Sequence, residues 1–246
     1  MESLESPPAW SEANSQQFID YGRYFVPARE QQIELLCNLV PPTGGTLQLL
    51  ELCCGEGLLA EALLERFPQA RLTGYDGSPK MLERAARRLE RFEDRFSARQ
   101  FDLALTDWRE STAQYQAVLS SLAIHHLDAA AKQALYSDVW QMLLPGGAFL
   151  IADLVLPLGE QALGVAAAEW DAAVRERALE LDGTLEAYEF FTREGWNYFR
   201  YPDPMDMPSP LSDHLRWLEA AGYQELNEFW THAGHAIWGG RRPASY

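Results

Sequence analysis

Leu49-Leu50-Glu51-Leu52-Cys53-Cys54-Gly55-Glu56-Gly57 is the stretch that decides the fold. Leu47 to Cys53 is a short, almost unbroken apolar run, which suits a parallel strand buried on both faces. Gly55 and Gly57 then give a turn that lets backbone approach a ligand closely. A helix follows, with Leu58, Leu59, Ala62 and Leu63 on one side. Its first N–H groups have no partner within the helix and are free to meet a ligand.

Outward from this stretch, strands and helices alternate. Upstream, Ile33, Leu36 and Val40 have helical spacing, and Pro41 to Gly45 ends that helix. Residues 1–17 are polar and predict a loosely ordered start. Downstream, a strand from Leu72 ends at Asp76, and Ser78-Pro79 caps a helix running to about Arg95. Further strands are predicted near Phe96–Phe101, at Ala117–Leu122 and at Phe149–Val155. Asp128 caps the helix between the last two, which stops before Pro145-Gly146-Gly147. This order predicts a parallel sheet covered on both faces. Residues 156–208 break it with an Ala-rich helix, an aromatic cluster and a Pro/Met/Asp loop. A helix over about 211–221 and a hairpin around Ala233-Gly234 close the chain.

Bulk properties bound the function. The chain has 246 residues, 47% of them hydrophobic, enough for one large domain with an insertion. Its net charge of −16 repels nucleic-acid phosphates, so a nucleic-acid partner is not expected. The basic residues of helix 79–99 (Lys80, Arg84, Arg87, Arg88, Arg91, Arg95, Arg99) read as a solvated face. Three cysteines, Cys37, Cys53 and Cys54, make no disulfide framework. No signal peptide or membrane span is visible, and the expected location is cytoplasmic. His232-x-x-His235 lacks a third ligand nearby, so no metal is expected.

The chemistry-bearing residues gather at strand ends. Asp76 stands where a carboxylate can accept hydrogen bonds from a ribose diol. Gly55-Glu56-Gly57-Leu58-Leu59-Ala60 also matches a dinucleotide fingerprint, leaving a nicotinamide-dependent oxidoreductase open. Glu51 favours a cofactor with an ammonium group, and Asp102 a contact to an adenine amino group, with Asp107 as its rival. His125-His126 follow the fourth strand, and Asp153 ends the fifth, at the edge where open α/β sheets bind ligands.

In order and spacing these motifs resemble those of class I methyltransferases that use S-adenosylmethionine (SAM). Residues 49–57 are similar to the family's glycine motif, with Cys53 where the family has its first glycine. Tyr75-Asp76 resembles its ribose acid, Phe101-Asp102-Leu103 its adenine-side acid, and Leu143 to Gly147 its turn before the fifth strand. The resemblance implies an α/β, Rossmann-like seven-stranded sheet, mostly parallel with an antiparallel last strand, plus a helical and aromatic cap. It divides the chain into an N-terminal lid (1–28), a SAM-binding core (29–155), an inserted cap (156–208) and a C-terminal part completing the core (209–246). It also implies cofactor contacts from Glu51, Cys53, Gly55, Gly57, Asp76, Gly77, Met81, Asp102, Leu103 and Ser120. S-adenosylhomocysteine would be the product.

Ile151 to Val155 is similar to a segment of small-molecule O-methyltransferases, which implies catalytic help from His125, His126 and Asp153. An imidazole near neutral pH can take the acceptor's proton. Trp170, Phe190, Phe191, Trp196, Tyr198, Phe199 and Tyr201 are candidates for an apolar acceptor pocket, with most expected in the cap's own core. Tyr21 and Arg29 are candidates for the SAM carboxylate. The expected activity is methyl transfer to a small molecule, O- or N-linked, by a monomer or homodimer. Val26-Pro27-Ala28 and the Trp230 strand also resemble carboxy-SAM synthases. A SAM-binding regulatory protein without turnover stays open as well.

Overall fold

The computed structural model describes residues 10–110 and 113–244. The first helix, α1 (Glu12–Phe25), starts within the segment expected to be loose. Ser11 caps it: its hydroxyl accepts from the Asn14 N–H, and the Asn14 side chain accepts from the Ser11 N–H. That reciprocal cap gives the polar stretch a reason to be helical. Residues 1–9 of the same expectation lie outside the described residues.

The glycine stretch opens the alternation: α2 (Arg29–Leu39), β1 (Leu47–Leu52), α3 (Leu58–Arg66), β2 (Ala70–Asp76), α4 (Pro79–Leu89) and β3 (Phe96–Gln100). Ser78 caps α4 as expected, accepting from the Met81 N–H. The helix ends earlier than its charge pattern suggests. A 3-10 turn over Glu90–Arg95 follows, kinked at Glu93, which has a φ of 51°.

Then come β4 (Tyr115–Ser121), α5 (Ala129–Met142) and β5 (Leu143–Leu154). Strand β5 begins six residues before the expected Phe149 and runs through Pro145-Gly146-Gly147. A register shift against β4 between Tyr115 and Ala117 absorbs that irregular start. A helical insertion, α6 (Glu160–Asp182) and α7 (Glu186–Arg193), precedes α8 (Leu211–Ala221), β6 (Gln224–His232) and β7 (His235–Arg241).

The sheet has seven strands in the order β3-β2-β1-β4-β5-β7-β6. Strands β1 to β5 pair in parallel, and β7 runs antiparallel to both β5 and β6. The sheet is therefore Rossmann-like and mixed, as the resemblance implied. The order reverses between β1 and β4, which opens a crevice at the carboxyl edge. One apolar layer, with Leu52, Val118, Phe149 and Trp238, lies under α5 and α8. The other, with Leu49, Leu63, Leu119 and Ile237, lies under α2 and α3. A third cluster joins α1 to the insertion through Phe25, Trp170 and Phe191.

Strand β7 sits tightly on β5. A Cβ placed on Gly239 would come within 2.2 Å of the Phe149 carbonyl oxygen, whereas one on Gly44 meets nothing within 4 Å. Gly239→Ala is expected to cost about 3 kcal/mol through overpacking. Gly44→Ala is expected to leave stability unchanged. Chemical denaturation of the two variants checks both.

Candidate cofactor and acceptor site

The turn after β1 is built from left-handed backbone. Cys53, Gly55 and Gly57 have φ values of 56°, 54° and 84°. Cys53 thus takes a left-handed conformation that a glycine adopts freely, at the strain a Cβ carries there. Its half-buried thiol is pushed well above the usual range, by burial first and then by Asp76, Asp153, Glu51 and Asp102 around it. Four carboxylates from four strand ends therefore surround one turn.

Glu51 is 2% exposed, and one of its carboxylate oxygens has no hydrogen-bond partner among the described residues. Burial, reinforced by Asp76, raises its pKa to about 8, against a bond from the Ala60 N–H in the first turn of α3. Arg29, at the start of α2, makes no ion pair among the described residues. Its guanidinium lies 5.4 Å from the Phe18 ring centre. Burial lowers its pKa to about 10, so it stays charged, and Glu56, Glu30 and Glu51 favour the charged form. An unsatisfied buried acid and an unpaired cation in one corner fit the ammonium and carboxylate of an amino acid. That is the methionine end of SAM, and a nicotinamide dinucleotide offers no such pair. The residues present fit the cofactor.

Asp76 accepts from the Gly55 N–H at 2.8 Å with one oxygen and from the Ser78 N–H at 2.9 Å with the other. It joins the turn after β1 to the cap of α4. Each oxygen keeps a further lone pair for a ribose hydroxyl. Met81 is buried next to Gly55, and the carbonyl of Phe101 approaches Gly77. Asp102 is exposed just past β3 and accepts from the Ala104 N–H, while Asp107 opens a short 3-10 turn. Leu103 packs on the apolar layer under α5. Ser120 is fully buried and donates to the Leu52 carbonyl, fastening β4 to β1.

Past β4, Leu122 has a φ of 55°, and the chain enters a 3-10 turn over Ile124–His126. Asp153, 1% exposed, organises it. Its carboxylate accepts from the N–H groups of Ala123, His125 and Leu154 and from His125 Nδ1. Burial opposes ionisation of Asp153, but His125 holds its pKa down at about 2. The reverse holds for His125: burial lowers its pKa, and Asp153 and Asp206 more than offset that.

Asp206 was not foreseen. It lies in the Pro/Met/Asp loop, 3.0 Å from His126 Nδ1 and 3.5 Å from His125 Nε2. The loop is fixed by the Met207 N–H, which donates to the His125 carbonyl at 2.7 Å. Buried Lys132 also donates to the Met207 carbonyl and the Ser209 hydroxyl. The only signal in the sequence was an acid in an aromatic insertion.

Trp10, ahead of α1, lies 5.4 Å from His126 and 6.5 Å from Trp196. Tyr21 of α1 stacks on Phe190 at 4.0 Å. Of the aromatic candidates, Trp170 and Phe191 are core residues, Phe190, Trp196, Tyr198 and Phe199 are half-buried around them, and Tyr201 is exposed. His235 is buried and bonds the Ala233 carbonyl, while His232 is exposed. Arg88 of α4 pairs with Glu56 and Glu61, and Arg91, in the 3-10 turn after it, with Glu61 and Glu65.

The sheet order, the glycine turn and the acids at the strand ends are similar to those of class I SAM-dependent methyltransferases. Residues 49–147 match the family described as methyltransferase domain. A trans-aconitate 2-methyltransferase of Streptomyces coelicolor is 53% identical over 52 residues, which is 21% of this chain and 17% of the relative. A methyltransferase of Synechocystis is 31% identical over 110 residues, 45% of this chain and 48% of the relative. The chain thus spans less than half the length of these relatives. An O-methyltransferase family protein of Burkholderia thailandensis superposes with a TM-score of 0.62 at 16% identity, over 96% of this chain and 61% of that one. Phosphoethanolamine N-methyltransferase 2 of Haemonchus contortus gives 0.63 at 14% identity, over 95% and 58%. These likenesses show the fold, and the dinucleotide reading of Gly55–Ala60 is set aside. No helix among the described residues is long and apolar enough to cross a membrane.

The state of Glu51 sets a pH signature. With a pKa of about 8 it is mostly protonated in the free protein at neutral pH, and an ammonium ligand favours its ionised form. S-adenosylhomocysteine binding is expected to release protons near pH 7 and to tighten as pH rises toward 8. Calorimetry in buffers of different ionisation enthalpy reads this directly. Because the native pKa lies above the unfolded value, this group's contribution to stability falls as pH rises between about 4.5 and 8. Glu51→Gln should therefore abolish the proton release, weaken ligand binding and raise the melting temperature of the free protein.

Proposed function

We propose that this chain transfers the methyl group of SAM to an oxygen or nitrogen of a small-molecule acceptor. The observation that carries this reading is the His125–Asp153 pair with Asp206 opposite, set at the sheet edge beside the Cys53 turn. When bound, SAM supplies a methyl group already activated on a sulfonium. The chain's own task is then alignment, exclusion of water and handling of one proton.

Glu51 and Arg29 hold the two ends of the amino-acid part. Gly55 and Gly57 let the backbone close on it, Asp76 holds the ribose, and Gly77, Met81 and Asp102 border the adenine. Asp153 fixes the His125 ring with Nδ1 as donor, so Nε2 is free to receive the acceptor's proton. His126 and Asp206 orient the acceptor. Helix α1 acts as the lid and the insertion as the cap, since Tyr21 and Trp10 touch both the insertion and the histidine turn. The aromatic surroundings and the acid Asp206 favour a neutral or cationic aromatic acceptor over a polycarboxylate.

Two results test this. S-adenosylhomocysteine should bind with micromolar affinity while NADH does not, and Asp76→Ala should weaken that binding about 100-fold through lost charge-assisted bonds. The same variant should also melt lower, because Asp76 ties two turns together. With an acceptor found in a panel of phenols and amines, His125→Ala should lower kcat by about 100-fold or more at near-constant S-adenosylhomocysteine affinity. A panel without any methylated product, alongside tight ligand binding, would point to a regulatory protein instead.

A further inference from the structure

We propose that His125, His126 and Asp206 form a binding site for one divalent transition-metal ion. One ligand atom from each lies within 4.8 Å of the other two. Two ligands about 2.0–2.1 Å from a tetrahedral ion stand roughly 3.4 Å apart. The His125 Nε2 to Asp206 separation of 3.5 Å and the His126 Nδ1 to Asp206 separation of 3.0 Å match that edge. The ligand nitrogens of the two imidazoles also lie within 4.8 Å of each other.

The surroundings are those of a ligand set. His125 spends Nδ1 on buried Asp153, the carboxylate–histidine arrangement that fixes an imidazole so that its other nitrogen can face an ion. Asp153 is itself held by three backbone N–H groups, so the ring cannot turn away. Asp206 is anchored through its own N–H to the Asp203 carbonyl and through Met207 to His125 and Lys132. Two imidazoles and two carboxylates in one half-buried place sum to a charge that a divalent cation neutralises. Mixed nitrogen and oxygen donors suit zinc, cobalt, nickel or iron(II) rather than magnesium or calcium.

Three protein ligands leave room in the coordination sphere for a further ligand. Here the inference rests on the methyl-transfer reading: with an ion bound, His125 Nε2 is a ligand rather than a base, and the ion instead polarises an aromatic acceptor's oxygen, while the metal-free protein uses His125 as the base. The site itself stands without that reading.

The test uses the full chain, free of any purification tag, stripped with a chelator and titrated with cobalt(II) chloride. One equivalent should bind at micromolar concentration, with visible ligand-field bands and quenching of part of the tryptophan fluorescence. Asp206→Asn and His126→Ala should each abolish stoichiometric binding. Asp153→Asn should weaken it about 10- to 100-fold. His232→Ala should bind like the parent. Absence of saturable binding by the parent, or equal binding by Asp206→Asn, overturns the proposal. S-adenosylhomocysteine titration of the same samples reports folding of the variants, and its failure in the parent counts against the methyl-transfer reading alone.

Discussion

Between β1 and β4 the strand order turns back on itself, and the crossovers on either side lead away in opposite directions. The crevice left at the carboxyl ends is the constraint from which the rest follows. Every backbone group exposed there needs a partner, because it is too deep for bulk water. The chain answers with acids. Asp76 takes the N–H groups of Gly55 and Ser78, and Asp153 takes those of Ala123, His125 and Leu154. Glu51 lies between them with an oxygen left over. The carboxylates that shape the crevice and the one that waits for a ligand thus belong to one arrangement.

The parts of this arrangement that a reader of the sequence can see are those with local causes. Central parallel strands are buried on both faces, so β1, β4 and the latter part of β5 appear as apolar runs. Ser78-Pro79, Asp128 and Gly222 announce helix ends through their own side chains or backbone freedom. Helix α1 was hidden because its stability comes from a polar cap and from contacts with distant helices rather than from apolar spacing. The early start of β5 was hidden because Pro145 and two glycines normally end a strand. Asp206 was hidden for a stronger reason. It meets His125 only after the insertion folds back, and nothing local distinguishes it from Asp203 in the same loop.

A strongly acidic chain has few cations to spare, and where they are unpaired is informative. Arg88 of α4 and Arg91 of the 3-10 turn after it are committed to Glu56, Glu61 and Glu65, and Arg87 to Glu83. Lys132 is buried and bound to the loop before α8. Arg29 is the cation of the crevice without an ion pair among the described residues, and Glu51, the acid there with an unsatisfied oxygen, is among the groups that favour its charge. The same reasoning gives Cys53 and Cys54 a plain role. Buried among carboxylates, their thiols are kept neutral and serve as small packing groups, with Cys54 filling the space beside Gly74.

The insertion leaves the sheet at Leu156 and returns at Ser209, and the Leu156 N–H donates to the Ser209 carbonyl at 3.0 Å. Exit and re-entry are therefore stitched together, and the chain between them closes a loop at the sheet's edge. A segment attached in that way can be lengthened, shortened or exchanged as a block while the strand pairing beneath it stays in register. Variation of the site's surroundings, in evolution or at the bench, then has a natural unit here, cut at a seam the backbone itself provides.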